Sequence, residues 1–395
     1  MFQLGLPPAS NPYNDAFFMM VMHFLRALFL LLAPALLYAQ QVPSPPPLAA
    51  KAYVLADYNS GQVLVAQNPQ QRIEPASLTK LMTAYVTFNA LKQKTLRPDQ
   101  IVPVSARAWK SEGSRMFIEP NRPVSVEELL KGMIVQSGND ACIALAEAVA
   151  GSEEVFAQMM NREAQRLGMK NTNFVNSTGL PHPQHYTTGH DLSLLAMAIV
   201  RDFPEYYPLY SLKEYRYNNI TQSNRNRLLW ADPTVDGMKT GYTENAGYCL
   251  ITSARRGPRR LISVVLGTNS ESGRATESQK LLNYGFQFYD TVRLYEKNHP
   301  VSTVKVWKGG ANQVKAGFPY DMYLSIPKGV ADKLKATVET QQPLLAPIAA
   351  GQKIGVLRVE LEGKPYGEFP VVALEEVGIA GIFGRGWDSL RLLLK

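Results

Sequence analysis

Cysteine is scarce. The 395 residues contain two, Cys142 and Cys249, which excludes a disulfide framework. One bridge between them is chemically open in an oxidising compartment, but two buried thiols are the expectation. Long apolar runs are scarce as well. The stretch Ala27–Ala39 extends for 13 residues, short of the roughly 20 that a membrane-crossing helix needs. Charge is not concentrated anywhere. The 41 Lys and Arg residues outnumber the 33 Asp and Glu, for a net charge of +8. The basic residues are nevertheless scattered, with no long basic run and no nucleic-acid-binding motif, so nucleic acid is excluded as the partner. An anionic membrane surface or an acidic wall polymer is the expected counterpart. What remains is the composition of a soluble globular protein, 46% hydrophobic and 19% charged with a mean hydropathy of −0.15. Its length suits two domains with processed or tethering ends.

Both ends carry such signals. Arg26 followed by Ala27–Ala39 has the form of a secretory signal with cleavage at Ala39, so residues 1–39 are expected to be a signal region, with Met19, Met20 or Met22 as the true start. Residues 40–50 form a Pro-rich linker. At the other end, residues from Ile379 onward were placed at helical steps. Ile379, Ile382, Phe383, Trp387, Leu390, Leu393 and Leu394 then share one arc of about 140°. Arg385, Asp388, Arg391 and Lys395 face the other way. This is the make-up of a helix lying in a membrane interface. The alternative is a terminal helix docked on its own domain, which Gly381, Gly384 and Gly386 would weaken in water.

Between the ends, Ala52–Asp57 and Gln62–Ala66 flank Asn59-Ser60-Gly61 as a β-hairpin. Apolar spacing predicts helices over 77–91, 126–150, 153–167, 190–201 and 274–289. Strand patterning covers 248–269, with a turn at Gly257-Pro258. Strands at both ends with helices between them predict an α/β domain over 51–289 whose terminal strands share a sheet. From about 290 to 378, short runs such as Val301–Trp307, Met322–Ile326, Leu334–Val338 and Ile354–Leu361 predict a small all-β domain.

Three short motifs carry chemistry. In Ser77-Leu-Thr-Lys80, positions three apart share a helix face, so a partly neutral lysine can take the serine's proton. The pattern alone is weak: Ser302-Thr-Val-Lys305 and Ser325-Ile-Pro-Lys328 match it too, and read as strand and turn residues. Roughly one or two such matches are expected by chance. Ser137-Gly138-Asn139 occurs once and could equally be a helix cap. Lys239-Thr240-Gly241 also occurs once, and its bland reading is a surface turn. The order is more informative than any single motif: 60 residues separate Ser77 from Ser137, and 102 separate Ser137 from Lys239.

The three motifs in this order are the set of penicillin-binding proteins and class A β-lactamases. Gly132–Cys142, Val235–Thr243 and Ala246-Gly-Tyr248 make the chain resemble the low-molecular-mass D-alanyl-D-alanine carboxypeptidases over about 48–395. That family has a penicillin-binding transpeptidase-like α/β fold, an antiparallel sheet flanked by helices with an all-helical region. A C-terminal β-domain and an amphipathic anchoring helix follow. The resemblance implies that Ser77 attacks the carbonyl between the last two D-alanines of a peptidoglycan pentapeptide, with Lys80 as base. Ser137, helped by Lys239, would relay a proton to the leaving group. Asn139 would hold Lys80 and the substrate amide, and the backbone N–H groups of Ser77 and Tyr242 would receive the oxyanion. Thr240, Gly241 and Arg274 would receive the terminal carboxylate, with Arg225 a second arginine near the cleft. β-Lactams would be covalent inhibitors, and no cofactor or metal is called for. The expected location is the periplasmic face of the cytoplasmic membrane, and a homodimer is left open. One departure stands out: position 242 is Tyr, where some members carry His, which bears on acyl-enzyme breakdown.

Rival readings lack support in the residues. A β-lactamase needs a carboxylate after the Ser-x-Asn motif to activate water, and no glutamate lies between Glu163 and Glu205. A cross-link endopeptidase is disfavoured by the full β-domain and terminal helix, and a non-catalytic scaffold by the complete set of catalytic residues.

Overall fold

The computed structural model describes residues 42–393. The expected signal region, the first two linker residues, Leu394 and Lys395 lie outside the described residues. Strand β1, Ala52–Asp57, is buried along its whole length, which explains why it reads as an unbroken apolar run. It pairs antiparallel with β2, Val63–Gln67, across the turn at Asn59-Ser60-Gly61. On its other edge β1 pairs with β5, Arg259–Thr268, in the register Ala52↔Leu266. Strands β3, Val235–Thr243, and β4, Gly247–Arg256, complete a five-stranded antiparallel sheet in the order β2-β1-β5-β4-β3. The first and last strands of the catalytic region therefore share one sheet, as the sequence pattern predicts.

Helices cover both faces of this sheet. Alternate residues of β1 point opposite ways. Val54 meets Gly189 at the start of α5, Gly189–Asp202, while Leu55 meets Gly285 in α6, Glu271–Phe288. A Cβ on Gly285 would lie 2.6 Å from Leu55 Cδ2 and 2.7 Å from Leu261 Cδ1, so only glycine lets that helix seat. Each helix is started by a hydroxyl cap: Thr188 accepts from the Asp191 N–H and Ser270 from the Gly273 N–H.

The helical region differs from expectation at one place. Instead of one helix over 126–150, there are α2, Val126–Val135, and α3, Asn139–Ala150. The break falls at Gln136-Ser137-Gly138, where Ser137 has φ +68°, a left-handed conformation that no helix interior accepts. Likewise, the helix expected from Ser77 begins as a 3₁₀ turn, Ala76–Thr79, and becomes α1, Lys80–Lys92, only at the lysine. Helix α4, Glu153–Arg166, lies where the spacing predicts it.

Past α6 the chain is almost entirely strand. A pair, Tyr289–Tyr295 with Met322–Pro327, stands beside a six-stranded sheet. That sheet includes Pro300–Trp307, Gln313–Gly317, Leu334–Thr340, Lys353–Leu361 and Lys364–Ala373. The turn after β1 serves as the joint between the two regions. Asp57, fully buried, accepts from the Asn59 and Ser60 N–H groups and from the Thr291 hydroxyl. Ser60 Oγ meets Ser325 Oγ at 2.7 Å, and the Ser325 N–H donates to Gln62. Cys142 and Cys249 are buried and unpaired.

The terminal helix runs Ile382–Leu393, three residues later than expected. Ile379 instead bridges Gly309, and the Ala380 N–H donates to the Lys308 carbonyl. Asp388 accepts from the Lys308 N–H at 2.6 Å. The helix is thus fastened to the β-domain through polar contacts while Ile382 and Trp387 stay 77% and 60% exposed. No helix among the described residues is long and apolar enough to cross a membrane.

Candidate active site

All three motifs converge on one cleft of about 170 Å³, lined by residues that include Ser77, Ser137, Asn139, Thr240, Gly241, Tyr242, Arg225 and Arg274. Ser77 is presented by the 3₁₀ turn, which Ala76 enters with φ +49°. Glu74 ties this turn to the end of β3 by accepting from the Thr243 hydroxyl at 2.8 Å and the Asn245 amide at 2.9 Å.

Lys80 sits one turn further on, 1% exposed. Its Nζ lies 2.6 Å from the Thr178 carbonyl, 2.7 Å from Asn139 Oδ1 and 3.1 Å from Ser77 Oγ. Thr178 O and Asn139 Oδ1 can only accept; the Asn139 Nδ2 is committed to the Glu112 carbonyl. Ser77 is the only one of the three with a proton to give. A neutral lysine has two N–H groups and one lone pair. Assigning the N–H groups to the two shorter contacts leaves the lone pair on the Ser77 hydroxyl. Burial pulls the Lys80 pKa below its ordinary value, so the neutral form is within reach.

Lys239, on β3, is also buried and donates to the Thr240 carbonyl at 3.1 Å. Its pKa lies well below the ordinary lysine value, through burial first and then the positive charge that Lys80 carries when protonated. Ser137 Oγ is buried without a hydrogen-bond partner among the described residues. Lys239 Nζ is engaged by the Thr240 carbonyl and not by Ser137. Arg274, 5% exposed, reaches the Gly241 carbonyl at 3.4 Å and Glu271 at 3.3 Å. Arg225 donates to Ser114 Oγ at 2.8 Å. Tyr242 is half exposed and packs on Tyr248 with ring centres 4.4 Å apart. Of the other two Ser-x-x-Lys matches, Ser302 to Lys305 lie in one strand of the β-domain, and Ser325 lies in another with Lys328 in the turn after it, away from this cleft.

Sequence reasoning missed several supporting groups. Thr178 holds Lys80 through its backbone, which leaves no side-chain signature. Its loop is closed by Gly179 at φ +87°, where a Cβ would fall 1.7 Å from the Ala76 carbonyl. Glu153 accepts from the Ser177 N–H and hydroxyl beneath that loop. His185 accepts the Val175 N–H at Nδ1, so its Nε2 carries the proton and donates to Thr79 Oγ1 at 2.9 Å. Burial lowers the His185 pKa to about 4. Asp140, 1% exposed, accepts three successive N–H groups from Met116, Phe117 and Ile118, and the Asn139 N–H holds the Ser114 carbonyl of the adjoining wall. A carboxylate in the first turn of an apolar helix was the available signal. No carboxylate lines the cleft among the described residues.

Comparison with known proteins agrees with this geometry. Residues 39–270 match the family described as D-alanyl-D-alanine carboxypeptidase. Residues 289–378 match the family described as penicillin-binding protein 5, C-terminal domain. The chain is 43% identical to D-alanyl-D-alanine carboxypeptidase DacC of Escherichia coli K12 over 374 residues, which cover 93% of this chain and 94% of that protein. Penicillin-binding protein 5 from Haemophilus influenzae superposes with a TM-score of 0.81 at 43% identity, over 85% of this chain and 99% of that one. Penicillin-binding protein D2 from Listeria monocytogenes, solved with ampicillin bound, gives 0.57 at 31% identity, over 61% of this chain and 98% of that one. The chain belongs to the serine D-alanyl-D-alanine carboxypeptidases and carries their penicillin-binding-protein fold with its C-terminal β-domain.

Proposed function

We propose that this carboxypeptidase removes the terminal D-alanine of peptidoglycan pentapeptide stems through an acyl-enzyme on Ser77. The observation that carries this reading is the set of three contacts at Lys80, which leaves its lone pair for the Ser77 hydroxyl. Ser77 Oγ attacks the penultimate carbonyl carbon as its proton passes to Lys80. The backbone N–H groups of Ser77 and Tyr242 receive the oxyanion. When the intermediate collapses, the C–N bond breaks and the D-alanine amine needs a proton. Ser137, helped by Lys239, relays the proton that Lys80 took from Ser77, which leaves Lys80 neutral again, and Asn139 keeps Lys80 and the substrate amide in line. Arg274, with Thr240 and Gly241, takes the leaving residue's carboxylate. Arg225 braces the opposite wall through Ser114. Water then attacks the ester, with Lys80 again as base.

A penicillin acylates the same serine. Its expelled nitrogen stays tethered to the acyl group, where it blocks the water that Lys80 would activate, and no carboxylate lines the cleft among the described residues to offer a second route, so that ester persists, as expected of an antibiotic target. The domain scheme fits this reading: signal region 1–39, linker 40–50, catalytic domain 51–289, β-domain 290–378, and an anchoring segment 379–395 whose helix starts at Ile382. The exposed Ile379, Ile382 and Trp387 support a helix resting on the periplasmic face of the cytoplasmic membrane. Because Gly378 and Ile379 still bond to the β-domain, truncation after Ala380 is the cut expected to release active enzyme into the soluble fraction.

The deciding test is incubation with a labelled penicillin followed by peptide mapping. The adduct is expected on Ser77, and Ser77→Ala should abolish both labelling and D-alanine release. Residual labelling at Ser302 or Ser325 in that variant would refute the assignment.

A further inference from the structure

A crevice of about 420 Å³ lies where the terminal helix meets the β-domain, lined by Lys308, Ala346, Ile379, Ile382, Arg385 and Ser389. It is separate from the catalytic cleft, and no step of the reaction uses it. Lys308 occupies the turn after Pro300–Trp307 with φ +58°. Its N–H donates to Asp388 and its carbonyl accepts from Ala380. The backbone of Lys308 is thereby clamped between the segment entering the helix and the helix's second turn. Neither Lys308 nor Arg385 has an acidic side-chain partner among the described residues. Asp388, the carboxylate seen to touch this corner, is engaged by the Lys308 amide. Two cations therefore share one concavity, on a corner that also exposes Ile379 at 56% and Ile382 at 77%.

We propose that this crevice receives the phosphate of an anionic membrane lipid, held between Lys308 and Arg385. The assignment rests on reading the helix as membrane-facing and adds a defined headgroup site to it. Charge complementarity selects an anion, because two unpaired cations at one concavity repel each other until one is bound. The apolar rim selects a lipid, because a soluble phosphate or a wall polysaccharide would leave Ile379 and Ile382 in water. Acyl chains cover them while the headgroup stays at the depth of the cations. A site shared by the helix and the β-domain fixes their relative pose on the bilayer, which a helix anchored by apolar contact alone would not.

Flotation of the full chain with vesicles tests this, comparing phosphatidylcholine alone with phosphatidylcholine containing phosphatidylglycerol. A diffuse surface charge contributes about 1 kcal/mol, roughly fivefold in affinity. Arg391→Gln, on the same helix but outside the crevice, should lose no more than that. Lys308→Gln and Arg385→Gln should each lose about tenfold or more on phosphatidylglycerol vesicles and nothing on phosphatidylcholine. D-Alanine release in solution reports that these variants remain folded. Equal losses for all three variants, or wild-type binding by Lys308→Gln, would overturn the site while leaving the membrane reading intact. A wild-type chain that floats with neither vesicle overturns both. Binding of soluble glycerol phosphate by the wild-type chain, with equal flotation on the two vesicle types, would show that the crevice serves a free phosphate and not a lipid.

Discussion

The catalytic region and the β-domain are both built on antiparallel sheets, yet they bury different things. Beneath the cleft lie Lys80, Lys239, Asp140, Glu153, His185 and Arg274, each less than a tenth exposed. In the β-domain, Ser325 is the one buried polar side chain among the described residues, and the interior is aliphatic: Val304, Val314, Leu324, Ile354, Leu357, Val371. Burying charge costs stability unless each group is paired. The catalytic region accepts that cost because desolvation is what brings two lysines toward neutrality. The β-domain has no such task, and its core follows from packing alone.

Substitutions in the two regions should therefore fail in different ways. The largest effect belongs to Lys80→Ala, which should slow penicillin acylation by about 10²–10⁴-fold, the usual worth of a general base. Stopped-flow acylation measures this, and a near-normal rate would assign the base elsewhere. Leu357→Ala, in the other core, should lower unfolding free energy by about 2–5 kcal/mol through transfer and cavity terms. Its turnover number below the melting transition should stay unchanged, and a lost kcat there would break the proposed division of labour. Arg274→Ala should reduce turnover of peptides with a free terminal carboxylate by roughly tenfold or more, since a charge-assisted hydrogen bond contributes about 1.5–3 kcal/mol. A carboxamide-terminated peptide should be far less affected, and equal losses would make Arg274 structural.

The smallest effect is on pH dependence. The His185 pKa falls from about 6.5 unfolded to about 4 folded, so the unfolded chain binds the extra proton between those values. Stability is thus full above about pH 6.5 and declines as pH drops toward 4. By about pH 5.5 the loss should reach about 1 kcal/mol. His185→Gln should flatten that part of a denaturation-versus-pH series, and an unchanged slope would show that another group titrates.

Much of this was legible in the chain. The apolar run at 52–57 and the paired runs at 248–269 read as sheet partners because burial on both faces removes polar alternation. The order of Ser77, Ser137 and Lys239 identified the cleft. The kink between Val135 and Asn139 was legible only as an alternative: apolar periodicity continues through it, and the one hint was that Ser137-Gly138-Asn139 could cap a helix, as the start at Asn139 shows. Thr178 was invisible for a related reason: it acts through a carbonyl that every residue has. The strand Lys364–Ala373 was not singled out, since Pro365, Gly367 and Pro370 interrupt its pattern.

The pairing of β1 with β5 also sets a timetable. Ala52 and its partner Leu266 are 214 residues apart. A ribosome adding roughly 5–20 residues per second needs about 10–40 s to make the second strand after the first. Throughout that interval the sticky segment Ala52–Asp57 has no native neighbour on that edge, and for most of it the nucleophile's turn has no β3 to lean on. Catalytic competence can therefore arise only once the region is synthesised through β5. A nascent chain arrested before about residue 268 exposes an aggregation-prone strand and has no working site. Supplying the missing C-terminal strands as a separate fragment should be less effective than finishing the chain, because closing a loop of this length is an entropic cost that fragments meet as a second-order encounter.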